Sequence, residues 1–298
     1  MAATSIPAIT YRVPKRRHPV MAFIVHQPLG ALGLLVIIVM CLAAAFANLV
    51  APYDPLTLDY VNLLAPPSWS HPLGTDSYGR DVFSRIIYGA RTALAVGFLS
   101  SILGSTLGAI IGVASAYFGG RTDLIIQRVM DVLLSFPIIV LALTVVAVLG
   151  KNIIFGIDIN LIIAIGVPMV PKVARVVRSS ALAIRELPYI DAARAAGFSH
   201  TRIIFRHIVP NVVAPYLIML TAFVAQAILL EASLSFLGLG VTEPTPAWGL
   251  MLSGAAIDFY QSAPWMIIFP GVAISLAVFA FNLFGDSLRD WLDPKIKL

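Results

Sequence analysis

Charge is scarce in this 298-residue chain: 12% of its residues are Asp, Glu, Lys or Arg, against 59% apolar, with a mean hydropathy of +0.92. That balance excludes an ordinary soluble domain and points to an integral membrane protein. Cysteine is nearly absent. Cys41 is the only one and lies in an apolar run, which excludes an intramolecular disulfide and reads as packing. A phosphate-cradling glycine loop is missing too: the one Gly-Lys pair, Gly150-Lys151, is followed by Asn152, so the chain does not hold ATP by that device. His18, His26, His71, His200 and His207 form no His-Glu-x-x-His set, and there is no Gly-x-Ser-x-Gly elbow. Neither a metal nor a nucleophile is indicated, and energy for any active process must come from elsewhere.

What is present is a series of long apolar runs. A helix crossing a hydrocarbon core of ~30 Å needs ~20 mostly apolar residues, and six segments qualify: 29–50, 92–118, 132–149, 159–177, 212–230 and 265–284. The fourth carries Asn160, Pro168, Pro171, Lys172 and Arg175, so it is expected to fray at its end with its basic side chains snorkelling. Arg12, Lys15, Arg16 and Arg17 before the first run imitate a signal peptide, and Ala45-Phe46-Ala47 imitates its cleavage site. The run of 22 uncharged residues is too long for that and right for an uncleaved span.

The basic residues set the orientation. With the N-terminus inside, Lys and Arg number 4 in the tail, 2 in 119–131, 7 from Lys172 to Arg206 and 3 at the C-terminus, against Arg80, Arg85, Arg91 and Lys151 outside. Positive residues concentrate in cytoplasmic loops, so both termini are expected in the cytoplasm. The net charge of +5 is then a topology signal and not one for nucleic acid. Outside, 51–75 is expected to be irregular. Val82, Phe83, Ile86, Ile87 and Ala90 define one face of a short amphipathic helix, with Arg80, Asp81, Ser84, Arg85 and Arg91 on the other, expected to lie along the membrane surface. The last external loop, 238–264, is too rich in proline to be helical throughout.

One polar loop stands apart inside. Asp191, Ala192, Ala193 and Arg194 lead to Gly197, and Pro210-Asn211 follows thirteen residues after that glycine. Pro188 suits the first turn of a helix, Gly197 its C-terminal cap, Ser199 the cap of a second helix, and Pro210 the start of the next span. Two short helices meeting at a glycine corner are expected, with Arg194, Arg202 and Arg206 giving the corner charge. On physics alone it is either a docking knob or an ordinary solvated basic loop. Glu231, ending an apolar span, either lines a substrate path or sits near the outer interface where water solvates it. Asn160 and Asn282 read as helix–helix hydrogen bonders rather than ligands, with Asn282, like Glu231, also a candidate for the translocation path.

The loop resembles the EAA loop of bacterial ABC importer permeases, whose consensus is Glu-Ala-Ala, three residues, Gly, nine residues, then Ile-x-Leu-Pro. Here Asp191 stands for Glu, His207 for Ile and Val209 for Leu. The segment from His71 to Arg91, the run Glu231-Ala-Ser-Leu-Ser-Phe-Leu-Gly-Leu-Gly-Val241 with Pro244-Thr-Pro-Ala-Trp-Gly249, and the ending from Phe281 to Pro294 are similar to C-type permeases of the dipeptide, oligopeptide and nickel importers. The resemblance implies an all-α, six-span type I importer permease. It would comprise a cytoplasmic tail 1–28, a first span and external segment 29–91, a five-helix permease domain 92–285 with its coupling loop at 186–211, and a cytoplasmic tail 286–298.

The implied partners are a B-type permease subunit forming a heterodimer, two cytoplasmic ATPase subunits, an extracytoplasmic substrate-binding protein and membrane lipid, in the bacterial cytoplasmic membrane. No cofactor is bound by this chain; ATP and Mg belong to the partner subunits. The implied coupling residues are Asp191, Ala192, Ala193, Arg194, Gly197, Ser199, Arg202, Arg206, His207, Pro210 and Asn211. Asp191 keeps the acidic charge of the consensus but shortens its reach. Short peptides are the first cargo expected, with nickel chelates and glutathione-like compounds sharing the subfamily. An ion-coupled secondary transporter would show repeats and ionisable groups at midplane, and an intramembrane enzyme would need a catalytic constellation within the spans. The sequence has neither.

Overall fold

The computed structural model describes residues 19–154 and 156–292. The basic cluster Arg12 to Arg17, Lys295, Lys297 and the final motif residue Pro294 lie outside the described residues. The helices are α1 (Pro19–His26), α2 (Pro28–Ala45), α3 (Ala47–Val50), α4 (Val82–Phe118), α5 (Gly120–Leu134), α6 (Ile138–Leu149), α7 (Ile159–Gly166), α8 (Val170–Arg185), α9 (Pro188–Ala195), α10 (His200–Ile203), α11 (Val209–Phe236), α12 (Trp248–Met251), α13 (Ala255–Asp258) and α14 (Trp265–Leu292). A two-stranded hairpin pairs Ile153 with Asp158 and Ile154 with Ile157. Five helical stretches are long and apolar enough to span a membrane, or six if the bent pair α5–α6 is one span.

Small residues let the central helices meet. Gly104, Gly108 and Gly112 recur every four residues on α4, where a Cβ would lie 2.5, 2.7 and 2.5 Å from the carbonyl oxygens of Gly166, Val170 and Ala174. Backbone therefore packs on backbone along α7 and α8, as small residues at four-residue spacing permit within a bilayer. The largest cluster of buried apolar side chains extends from this contact, through Met169, Val173 and Val177 of the α7–α8 rod to Phe223, Ala227 and Leu234 of α11. A second gathers α2, α11 and α14 around Ile228, Ala277 and Phe281.

Several expected boundaries move. The run 132–149 is not one helix: it breaks at Ser135–Pro137, where proline cannot continue the ladder, and α5 and α6 meet at 94°. Neither does 159–177 fray. α7 continues through a 3-10 turn, Val167–Met169, into α8 as far as Arg185, and the prolines are absorbed by that turn. Arg175 pairs with Asp131 of α5, so it does not snorkel as a lone cation, and Arg178 one turn on pairs with Asp123, while Lys172 is exposed. Residues 82–91 form no separate surface helix; they are the first turns of α4, whose 37 residues span about 55 Å. Its polar side is buried as well as its apolar side: Arg80, Asp81, Ser84 and Arg85 are all covered. The external segments do the covering.

Candidate functional site

The loop between α8 and α11 forms the corner the sequence suggests. Pro188 opens α9 and the helix closes on Gly197, whose φ is +75°. Gly197 N–H donates to Arg194 O (2.9 Å) and Phe198 N–H to Ala193 O (3.1 Å), the paired bonds of a glycine-terminated helix. The Ser199 hydroxyl then accepts from Arg202 N–H and caps α10. Ile190, Ala193, Ile203 and Ile208 point into the core, while Asp191, Ala192, Arg194, Gly197, Ser199, Arg202 and Arg206 are exposed. The apolar positions thus pin the corner and leave its charged face uncovered.

The chain leaves this corner differently from expectation. Pro210 does stand in the first turn of α11, but that helix is not a fresh start: α10 runs through a π turn, Ile204–Ile208, into α11, giving a continuous helical stretch from His200 to Phe236. His207 stacks on Phe198 at 6.3 Å, its Nε2 is buried without a partner among the described residues, and its carbonyl accepts from Asn211 Nδ2 at 2.7 Å. Arg194 bonds Asp191 at 3.0 Å, and Arg202 lies 3.9 Å from the Phe198 ring centre.

What the sequence did not disclose is how the corner is fastened to α4. Tyr117 Oη and His200 Nδ1 are 2.7 Å apart, Arg185 donates to Ala116 O at 2.7 Å, and Gly119, with φ +62°, turns the chain from α4 into α5. Asp123 on α5 is gripped by both Arg178 and Ser115. Tyr117 and His200 are 83 residues apart, so nothing in the local pattern announces their bond.

At the other end of α4 lies a buried charge cluster. Asp81 caps α4 by accepting from Ser84 N–H at 2.8 Å, and His71 Nδ1–H donates to its other oxygen at 3.0 Å. Arg80 pairs with Asp76 (2.6 Å) and reaches Glu243 (2.8 Å) in the loop before α12; Arg85, almost wholly buried, lies 3.8 and 3.6 Å from the same two carboxylates. Burial opposes the Arg80 charge, and the bonds to Glu243 and Asp76 outweigh it, holding its pKa above the ordinary value. Trp248 Nε1–H donates to Ile86 O and Trp265 Nε1–H to Thr75 O, tying both external segments together.

Glu231 is 0% exposed, which argues against one of the two alternatives, an interfacial carboxylate solvated by water. Its Oε1 accepts from Ser235 at 2.7 Å and its Oε2 meets no partner among the described residues. Asn160 bridges as expected, donating to Leu149 O at 3.0 Å. Asn282 makes no such bond among the described residues and is exposed on α14. No group of three or more potential metal ligands occurs among the described residues.

Comparison with known proteins bears on this architecture directly. Residues 84–298 match the family of binding-protein-dependent transport system inner membrane components, and residues 23–67 match the N-terminal transmembrane domain of oligopeptide transport permease C. The chain is 44% identical over 269 residues to the dipeptide transport system permease protein DppC of Alkalihalophilus pseudofirmus, covering 90% of this chain and 86% of that protein. It is 43% identical over 273 residues to the glutathione transport system permease protein GsiD of Escherichia coli, covering 91% and 88%. A chain of the MetNI methionine ABC transporter, solved in inward-facing conformations, superposes with a TM-score of 0.55 at 18% identity, covering 71% of this chain and 97% of its own, and shows the shared fold. With well over half its length matched and its spans packed as in an importer permease, this chain belongs to the binding-protein-dependent transport system inner membrane components, the multi-pass, non-catalytic permease subunits of bacterial ABC importers.

Proposed function

We propose that this chain is the C-type permease of a peptide importer: it forms half of a translocation path with a B-type partner and couples that path to ATP hydrolysis in a separate subunit. Two cytoplasmic ATPases and an extracytoplasmic binding protein complete the assembly, with ATP and Mg held by the ATPases. The corner from Asp191 to Asn211 is the coupling element, seated in a groove of one ATPase. The single observation that carries this reading is the corner's construction: four apolar anchors fix it to the bundle, its charged face is left uncovered, and Gly197 stands in open space with no neighbour within 4 Å of a Cβ. Short peptides are the cargo favoured by the dipeptide permease of Alkalihalophilus pseudofirmus and by the match to oligopeptide permease C. Glutathione, itself a short peptide, is named for the Escherichia coli relative and stays within the same chemistry.

The test separates backbone strain from contact. A left-handed φ of +75° costs a β-branched residue roughly 1–2 kcal/mol, whereas asparagine tolerates it. Gly197→Asn is therefore expected to keep ATPase association and uptake close to normal, and Gly197→Val to lose both at least severalfold. Normal association and uptake in Gly197→Val would remove the coupling role.

A further inference from the structure

The outer end of α4 borders a cavity of about 380 Å³ that no part of the proposed coupling uses. Three separate elements wall it: Tyr88, Arg91 and Thr92 on α4, Lys151 and Asp158 at the hairpin, and the turn after α11 with Gly240 and Thr242. Its volume lies in the range of small-molecule sites, ~300–1,000 Å³. The cavity is at the opposite end of α4 from the Tyr117–His200 bond, and so on the side from which an importer receives its cargo.

Its charge is unbalanced. Lys151 stands exposed and enters no ion pair among the described residues. Arg91 donates through Nε to Ala44 O (2.5 Å) and through Nη2 to Ala45 O (3.2 Å), which satisfies donors without cancelling the charge. Asp158, the one carboxylate in the lining, offsets one of these two charges, leaving a net positive charge of one; it also caps α7, its Oδ1 accepting from Asn160 N–H at 3.0 Å and from Asn152 N–H at 3.1 Å. The lining also includes the apolar side chains of Leu161 and Val96, both nearly fully buried.

The third wall is fixed in place by the carboxylate the proposed coupling leaves unexplained. Ser235 Oγ donates to buried Glu231 and accepts from Val241 N–H at 3.1 Å, while Leu239 and Gly240 N–H both donate to Leu234 O. A Cβ on Gly240 would lie 2.4 Å from Ser235 Oγ, so the turn is held against the end of α11 with no slack. Through Ser235, Glu231 thereby acts as a positioning residue for a cavity wall.

We propose that this cavity is a carboxylate-binding cargo subsite at the outer end of the transport path, where Lys151 and Arg91 receive the terminal carboxylate of a short peptide above the apolar floor of Leu161 and Val96. The inference rests on the peptide-permease reading above. A path must hold its cargo weakly enough to release it, and two cations with an apolar floor suit such passing contact. Lipid phosphate shares the anionic chemistry, so the test must distinguish the two.

Cys41 being the sole cysteine, Cys41→Ala with Thr242→Cys puts one thiol on the cavity rim. In the complete reconstituted importer, shown first to retain uptake, the rate of modification by a membrane-impermeant thiol reagent is measured with millimolar dialanine or trialanine, with their C-terminal amides, and in vesicles with and without anionic lipid. The free acids are expected to slow modification severalfold, the amides to leave it unchanged, and Lys151→Gln to raise the half-protecting concentration about tenfold. Equal rates with acid and amide, a rate that follows anionic lipid and not peptide, or a thiol already shielded by a neighbouring subunit would each overturn the subsite. If any of these occurs while peptide uptake persists, only the subsite fails; if the intact importer takes up no peptide, the functional reading fails with it.

Discussion

Single side chains decide whether the outer cluster is stable. Asp76 is buried between Arg80 and Arg85, and removing one partner of a buried pair strands the other charge at a cost of ~3–5 kcal/mol. Glu243 serves the same arginines from a half-exposed position, where solvent screens it and a surface-like contribution of ~0–1 kcal/mol applies. Asp76→Asn is thus expected to lower the thermal midpoint of the detergent-purified protein clearly more than Glu243→Gln. Equal shifts would mean that burial does not govern this cluster. The corner residues were legible beforehand because proline, glycine and serine each impose a local backbone geometry: Pro188, Gly197 and Ser199 stand where their chemistry requires. Glu231 was only half legible. Its place at the end of an apolar run was plain, but burial depends on Ser235 and the Gly238–Val241 turn folding back over it, which no local pattern encodes.

Among the elements, α4 contributes most to the fold, and its packing on the α7–α8 rod depends on the glycine row. At Gly108 a Cβ would meet Val170 O and the Val173 Cβ, each at 2.7 Å, with backbone on one side and a β-branched residue on the other. Neither yields cheaply, since overpacking a tight interface costs ~1–3 kcal/mol or more. Gly108→Leu is expected to cut the yield of folded protein in the membrane and lower its thermal midpoint, while Gly271→Leu, where nothing lies within 4 Å, leaves both near normal. Comparable losses at the two sites would contradict the packing argument. Hydropathy located the spans well because the bilayer imposes length and apolarity together. It misjudged 82–91 and 132–149 for opposite reasons. The first has two faces that both become buried, so amphipathicity imitated a surface helix; the second is apolar across a break that only Pro137 marks.

In the whole molecule, α4 joins two regions that the sequence presents as unrelated. Its last turn holds the Gly197 corner through Tyr117 and Ala116, and its first turn is clamped to the external loops by Arg85 and by the Trp248–Ile86 bond. In the proposed coupling, a displacement applied to the corner would bear on the same helix that ends at the outer cavity. The family was legible because short motifs survive as local constraints; the link between the two ends was not, since it consists of contacts across 69 to 162 residues. The account depends on the corner facing the compartment that contains ATP. Sidedness is measured by modifying Ser199→Cys, in a Cys41→Ala chain, with an impermeant thiol reagent in sealed vesicles of each orientation. Modification only in inverted vesicles, slowed when the ATPase subunits are bound, is the predicted result; modification in sealed right-side-out vesicles would contradict it.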